Sequence, residues 1–120
     1  MHIVAKVLIA VVALEHIYIL WLEMFGWTTA GRKTFKSLPQ ELFEPTKPMA
    51  ANQGLYNGFL AAGLIWSLLI MDAAWAHHVA LFFLSCVVVA GVYGGITVQR
   101  TIFIIQALPA IVAALAVLFL

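Results

Sequence analysis

An acidic residue and a histidine stand side by side in the middle of an apolar stretch. Glu15 and His16 lie within a hydrophobic run that starts near residue 3 and ends near residue 25. Ionisable residues inside a membrane are costly, and they commonly mark proton relays or ligand sites. Tyr18 follows about one helical turn after Glu15, on a similar face. We therefore predict a ligand or proton site made of Glu15, His16 and Tyr18, with coupled titration of the first two.

The depth of this pair can be counted along the helix. Glu15 precedes Phe25 by ten residues, which at about 1.5 Å per residue places it about 15 Å deep, near the middle of a bilayer. Small residues are expected at the same level and would leave room for a cavity or ordered water: Ala61, Ala62, Gly63, Val89, Ala90 and Gly91. The alternative is structural, with a neutral Glu15 bonded to His16 as a link between helices.

A second polar group is predicted nearer the cytoplasmic ends of the helices. Depth counting assigns seven residues to this layer: Glu23, Asn52, Gln53, Tyr56, Asn57, Arg100 and Gln106. We expect an ion pair between Glu23 and Arg100, supported by the neighbouring amides. Such a layer can serve a function, or it can simply fix the register of the helices.

No metal site and no cofactor are predicted. His77 and His78, with Asp72 and His2, fall on the opposite side, but their spacing is not that of a specific metal site. Cys86 is the only cysteine, so it can form neither an internal disulfide nor a thiolate cage by itself. The sequence contains no fingerprint of a nucleotide or flavin cofactor.

Composition indicates that these residues belong to a membrane protein. The chain has 120 residues, of which 65% are hydrophobic and 9% charged, with a mean hydropathy of +1.08. A soluble domain has about 25% charged residues. The formal net charge of +1 provides no basic field for a nucleic acid. We expect the lipid bilayer as the partner and no nucleic acid.

The fold class predicted is an all-α membrane protein, a single domain built as an antiparallel four-helix transmembrane bundle. Stretches of about 20 apolar residues are needed for each crossing. The predicted spans are residues 3–25, 49–71, 79–99 and 102–120. Pro109 is expected to kink the last span. The tryptophans near span ends, Trp27 among them, are expected to act as interfacial anchors.

The connection over residues 26–47 is expected to be a solvated cytoplasmic loop. Most of the basic residues lie in it or on the same side, which is the arrangement favoured for the cytoplasmic face. This orientation places both termini of the predicted multi-pass membrane protein outside. The two other connections offer no comparable charge.

Small residues at four-residue spacing predict close helix contacts. They form one series in the second span and two pairs in the third: Ala50, Gly54, Gly58 and Ala62; Gly91 with Gly95; and Ala90 with Gly94. These faces can pack within the chain, or they can join two copies as a homodimer.

Two segments resemble a known family. Residues 14–27 read LEHIYILWLEMFGW and residues 51–61 read ANQGLYNGFLA. Together they resemble a family of small bacterial four-span inner-membrane proteins of unknown function, and the likeness covers the whole chain. The resemblance implies seven signature positions: Glu15, His16, Glu23, Asn52, Gln53, Tyr56 and Asn57. It implies no substrate and no reaction.

Three functions are compatible with the sequence. The first is binding or proton-linked transport of a small hydrophobic compound at the Glu15–His16 site. The second is a structural or accessory membrane subunit. The third is an intramembrane enzyme that uses Glu15 and His16 as acid and base in an isomerisation, although whether any reaction is catalysed is left open.

Overall fold

Long apolar stretches fold into long helices in the computed structural model, which describes all 120 residues and contains no strand. The helices are α1 (Ile3–Met24), α2 (Ala30–Thr34), α3 (Phe43–Leu69), α4 (Ala73–Thr97) and α5 (Arg100–Phe119), with a short 3-10 turn at Gln40–Leu42. Side chains cap two of the starts: His2 accepts the Val4 N–H, and Asp72 accepts the Trp75 N–H at 3.0 Å. These caps satisfy N–H groups that lack a partner in the first helical turn.

Three helices, α1, α4 and α5, are long and apolar enough to cross a membrane. Helix α3 is the longest at 27 residues, but amides and charged groups are concentrated in its first half. At about 1.5 Å per residue it measures about 40 Å, more than the hydrocarbon core of a bilayer. The helix begins at Phe43, about two turns before the start of the predicted second span, because the end of the predicted loop is already helical.

The four long helices pack in a ring. Helix α1 contacts α3 and α5, and α4 contacts the same two helices from the other side. The connections of α4 to α3 and α5 are only two or three residues long, so these neighbours run antiparallel. The molecule is a rod of 48 × 23 × 17 Å.

The apolar core occupies the half of the rod that contains the first turns of α1. It is formed by aliphatic side chains from all four helices: Ala5, Ile9, Val12, Ala13, Leu64, Ala80, Leu84, Val87, Ala110, Ala113, Ala116 and Val117. Four of the five buried polar residues, His16, Gln106, Glu23 and Asn57, belong to the half nearer the long loop, and Ser67 lies near the opposite end of α3. The interior therefore changes from apolar to polar along the axis.

Glycines allow the closest helix contacts, and these lie within the chain. A Cβ on Gly54 would stand 2.7 Å from the Met24 side chain, and one on Gly91 would stand 2.5 Å from the Ala107 backbone nitrogen. Ala62 and Ala90 face outward instead. The glycine spacing thus serves α1–α3 and α4–α5 packing, while the homodimer stays a prediction.

A π-helical turn, Phe103–Ala107, interrupts α5 just before Pro109. Proline has no N–H to donate and its ring crowds the carbonyl four residues earlier, so a regular α-helical turn is disfavoured there. The irregularity expected at Pro109 takes the form of this wider turn. It buries Gln106 and Ala107 against α4.

The long connection is folded and contains the short helix α2, while more than half of its residues are exposed, as expected of a solvated loop. The Trp27 ring packs between Phe35 and Phe43, with centroids 5.2 and 5.0 Å away, and its Nε1–H donates to Thr46 Oγ1 at 3.0 Å. Trp27 is thus part of a small core in the loop. Its role as an interfacial anchor, predicted from its position near a span end, stays a prediction.

Arg32 stabilises the same loop. Its guanidinium donates to the carbonyls of Thr28 and Gln40, at 2.7 and 2.8 Å, and lies 5.3 Å from the centroid of the Phe43 ring. It also stands 4.0 Å from the Glu44 carboxylate. We call the segment over residues 26–47 the loop cap.

Candidate functional site

His16 is completely buried and links α1 to α5. Its Nδ1 lies 2.8 Å from the Val12 carbonyl oxygen, which can only accept, so Nδ1 carries the proton. The Nε2 lone pair then accepts from the Gln106 amide at 3.2 Å. Both ring nitrogens are satisfied by a neutral imidazole.

Gln106 therefore belongs with His16. Counting residues from the helix end predicted that Gln106 would lie in the cytoplasmic layer. The π turn and Gly91 bring it to His16, because the Cβ of Gln106 lies only 2.9 Å from where a side chain on Gly91 would begin. Depth counting orders residues along a helix, but it does not determine which way each one faces.

Glu15 stands at the edge of the interior. The residue is partly buried, and its Oε1 is the only buried side-chain nitrogen or oxygen in the chain without a hydrogen-bond partner. It forms no bond to His16, whose nitrogens are both engaged elsewhere. Glu15 and His16 are thus adjacent in sequence, but they share no hydrogen bond. Of the two, only Glu15 has a buried atom that is free to accept a hydrogen bond from a new partner.

Tyr18 lies on the outer surface of α1, 54% exposed. Its ring packs near that of Trp21, with centroids 5.9 Å apart. Helical side chains lean toward the helix N-terminus, so the Tyr18 ring covers the surface beside Glu15. Glu15 and Tyr18 thereby form a polar and aromatic patch that opens outward from α1.

The small residues expected opposite this pair have different surroundings, and two of them, Val89 and Ala90, line an open groove of about 520 Å³ on α4. Gly63 packs against the Phe83 ring, and Gly91 receives Gln106 and Ala107. Ala62, Val89 and Ala90 are exposed on the outer surface. Neighbouring side chains take up the space that the glycines make available.

In the second polar group, Glu23 pairs with Asn57. The Asn57 amide donates to Glu23 Oε1 at 2.6 Å, and both side chains are buried. The approach is possible because Gly54 leaves room beside the Glu23 Cβ. This bond joins α1 to α3.

Of the other members of the predicted layer, only Gln53 takes part, through its backbone carbonyl, which accepts from the Asn57 amide at 3.2 Å. Arg100 is exposed at the start of α5 and does not pair with Glu23, so the predicted ion pair is wrong; the only ion pair in the chain is Arg32–Glu44. Asn52, Gln53 and Tyr56 have exposed side chains on α3.

The histidines of the opposite end make local contacts. His77 Nδ1 lies 2.7 Å from the Ala73 carbonyl of its own helix, and His78 packs edge-on against Trp75. No group of three or more His, Cys, Asp or Glu side chains converges to hold a metal ion.

Sequence reasoning missed a contact between the loop cap and the α4–α5 turn. Ser37 Oγ donates to Gln99 Oε1 at 3.1 Å, and Gln99 Nε2 donates to the Thr34 carbonyl at 3.3 Å. These residues are more than 60 positions apart, and nothing in their spacing indicates the contact.

Comparison with known proteins identifies relatives but no activity. The model of a family described as "Protein of unknown function (DUF1304)" matches residues 10–118. A protein of Lactococcus lactis subsp. lactis (strain IL1403), named "Uncharacterized protein YpaA", is 28% identical over 121 residues, covering 99% of this chain and all of the relative. No solved structure matches the chain.

Proposed function

We propose, for a chain that belongs to the DUF1304 family of unknown function, that it is a small membrane protein which binds a small hydrophobic compound at Glu15. The observation that carries the proposal is the buried Glu15 Oε1 without a partner. An unpaired buried acceptor is costly, and a ligand donor or a proton would relieve that cost. Proton uptake at the same carboxyl group would couple binding to proton movement.

The surroundings of Glu15 support entry from the lipid side. Helix α1 has the length and hydropathy of a membrane span, and Tyr18 beside Glu15 is exposed on its outer surface. His16 is fully bonded inside and holds α1 against α5. In this proposal Glu15 contacts the compound, Tyr18 flanks it, and His16 with Gln106 fixes the position of the helix.

The proposal includes a membrane arrangement. The α3 helix would form a fourth crossing between the three that have the required apolar length, giving an antiparallel transmembrane bundle. The loop cap would lie on the cytoplasmic side of the inner membrane and both termini outside, because the loop cap and the start of α5 carry five of the six Lys and Arg residues.

Native mass spectrometry of the full chain, released gently from its own membranes, tests the binding function. Wild type is expected to carry a small molecule that Glu15→Gln loses. Glu23→Gln is the matched control, since it changes the same charge in the same helix at a carboxyl group already paired with Asn57. Equal occupancy in wild type and Glu15→Gln, or bulk phospholipid only in all three, would overturn the proposal.

A structural or accessory subunit is the second candidate, and the Glu23–Asn57 bond favours it. This buried bond joins α1 and α3 exactly where Gly54 permits close approach, as expected of a device that fixes helix register. If this were the whole function, a Glu15→Gln chain would retain every partner and bound molecule of wild type, while Asn57→Leu would lose stability.

A further inference from the structure

Two distant segments that carry three basic residues are held together at one end of the rod. Lys33 and Lys36 belong to the loop cap, and Arg100 begins α5. Gln99 holds the segments together, because its amide contacts Thr34 and Ser37, each of which adjoins one of the lysines. We call Lys33, Lys36 and Arg100 the basic cluster.

The basic cluster has no counter-ion within the protein. All three side chains are exposed, and the only ion pair of the chain joins Arg32 to Glu44. The closest carboxylates of the loop cap in sequence are those of Glu41 on the 3-10 turn and Glu44. Three like charges held near one another repel, so an anion bound among them would stabilise the arrangement.

The level of the basic cluster is set by the helices. Helix α1 ends at Met24, α4 ends at Thr97 and α5 begins at Arg100, so the apolar segments of three potential spans stop at this end. Ile96 and Val98, immediately before Gln99, are 81% and 52% exposed. Exposed basic residues and exposed apolar residues thus occur together at this end of the helices, as at the boundary between lipid headgroups and acyl chains.

From these observations we infer that the basic cluster binds the phosphate headgroup of an anionic phospholipid whose acyl chains lie along Ile96 and Val98. A free phosphate ion would use the cations alone and leave the apolar side chains uncovered. An acidic soluble protein would have no reason to meet apolar residues at this level. A phospholipid satisfies both parts of the surface, and basic clusters at this position recognise anionic lipids.

The test uses the full chain in mixed micelles with equal amounts of phosphatidylglycerol and phosphatidylcholine that have identical acyl chains. Native mass spectrometry counts the lipids retained. Wild type is expected to retain more phosphatidylglycerol, and Lys36→Gln is expected to lower that preference about fivefold, the value of one basic residue near an anionic surface. Replacing all three cluster residues by Gln should abolish it.

Lys6→Gln is the matched control, because Lys6 is an exposed lysine near the other end of α1. It should leave the preference unchanged. Equal retention of the two lipids by wild type, an undiminished preference in the triple variant, or an equal loss in Lys6→Gln would overturn the inference. Displacement of the lipid by inorganic phosphate would assign the cluster to free anions and would also overturn it. Circular dichroism verifies that the triple variant is folded.

Discussion

At the scale of single residues, neighbours in sequence have different roles. His16 faces the interior and uses both nitrogens, whereas Glu15, rotated by about 100°, reaches the edge of the bundle with one buried oxygen unpaired. The glutamate is therefore available for binding, and the histidine supports the structure. Their adjacency in sequence suggested a single proton-sharing pair, but helical geometry separates them.

The His16–Gln106 bond should contribute measurably to stability. Gln106→Leu leaves the His16 lone pair without its donor, and we expect the free energy of unfolding in detergent to fall by about 1 kcal/mol, within the range for interhelical polar bonds in membranes. A double-mutant cycle with His16→Phe isolates the bond. Thr97→Val is the control, since that exposed hydroxyl contacts only the Tyr93 carbonyl of its own helix. A coupling energy near zero would contradict the assignment.

At the scale of elements, the contact between α4 and the π turn of α5 determines where Gln106 lies. Gly91 is the point of closest approach, with the Ala107 backbone directly above it. The wide turn before Pro109 rotates the side chains of α5 relative to their directions in a regular α-helix. The spacing of Gly91 and Gly95 predicted that α4 has a close helix contact. It did not predict which helix makes that contact or that α5 contains a π turn, because both depend on tertiary packing.

A single methyl group should disturb this contact. Gly91→Ala would place Cβ 2.5 Å from the Ala107 nitrogen and 2.9 Å from the Gln106 Cβ, and backbone cannot move aside as a side chain can. We expect a loss of about 1–3 kcal/mol of unfolding free energy, as for overpacking elsewhere. Ala90→Val adds volume at the neighbouring exposed position and should be tolerated. Equal stability of Gly91→Ala and wild type would show that the helices can separate at no cost.

At the scale of the whole molecule, composition and the lengths of apolar runs correctly predicted the all-helical fold and three apolar helices of spanning length, while the fourth predicted span, over residues 49–71, stays a prediction. A family of unknown function was also predicted and is confirmed, whereas the quoted segments as its signature stay a prediction. The sequence did not reveal the folded loop cap, the Glu23–Asn57 partner choice or the move of Gln106 to His16. Each of these depends on helix rotation and on contacts between distant segments.

The proposed orientation of the whole molecule predicts which residues face the cell exterior. In a Cys86→Ala chain, Met71→Cys on the α3–α4 turn should react with a membrane-impermeant maleimide added to intact cells, because Met71 is 99% exposed. Lys36→Cys in the loop cap should react only after the cells are opened. Labelling in the reverse order would show that the loop cap lies outside.

The Ser37–Gln99 contact also has a consequence for biosynthesis. Gln99 is translated 62 residues after Ser37, so the bond cannot form until α4 has been made and the turn before α5 has left the ribosome. Until then residues 26–47 can rely only on their own contacts, such as that of Trp27 with Thr46. The segment that closes one end of the rod is therefore completed late, and a chain truncated before residue 99 would lack the bonds that hold Thr34 and Ser37 to the turn before α5.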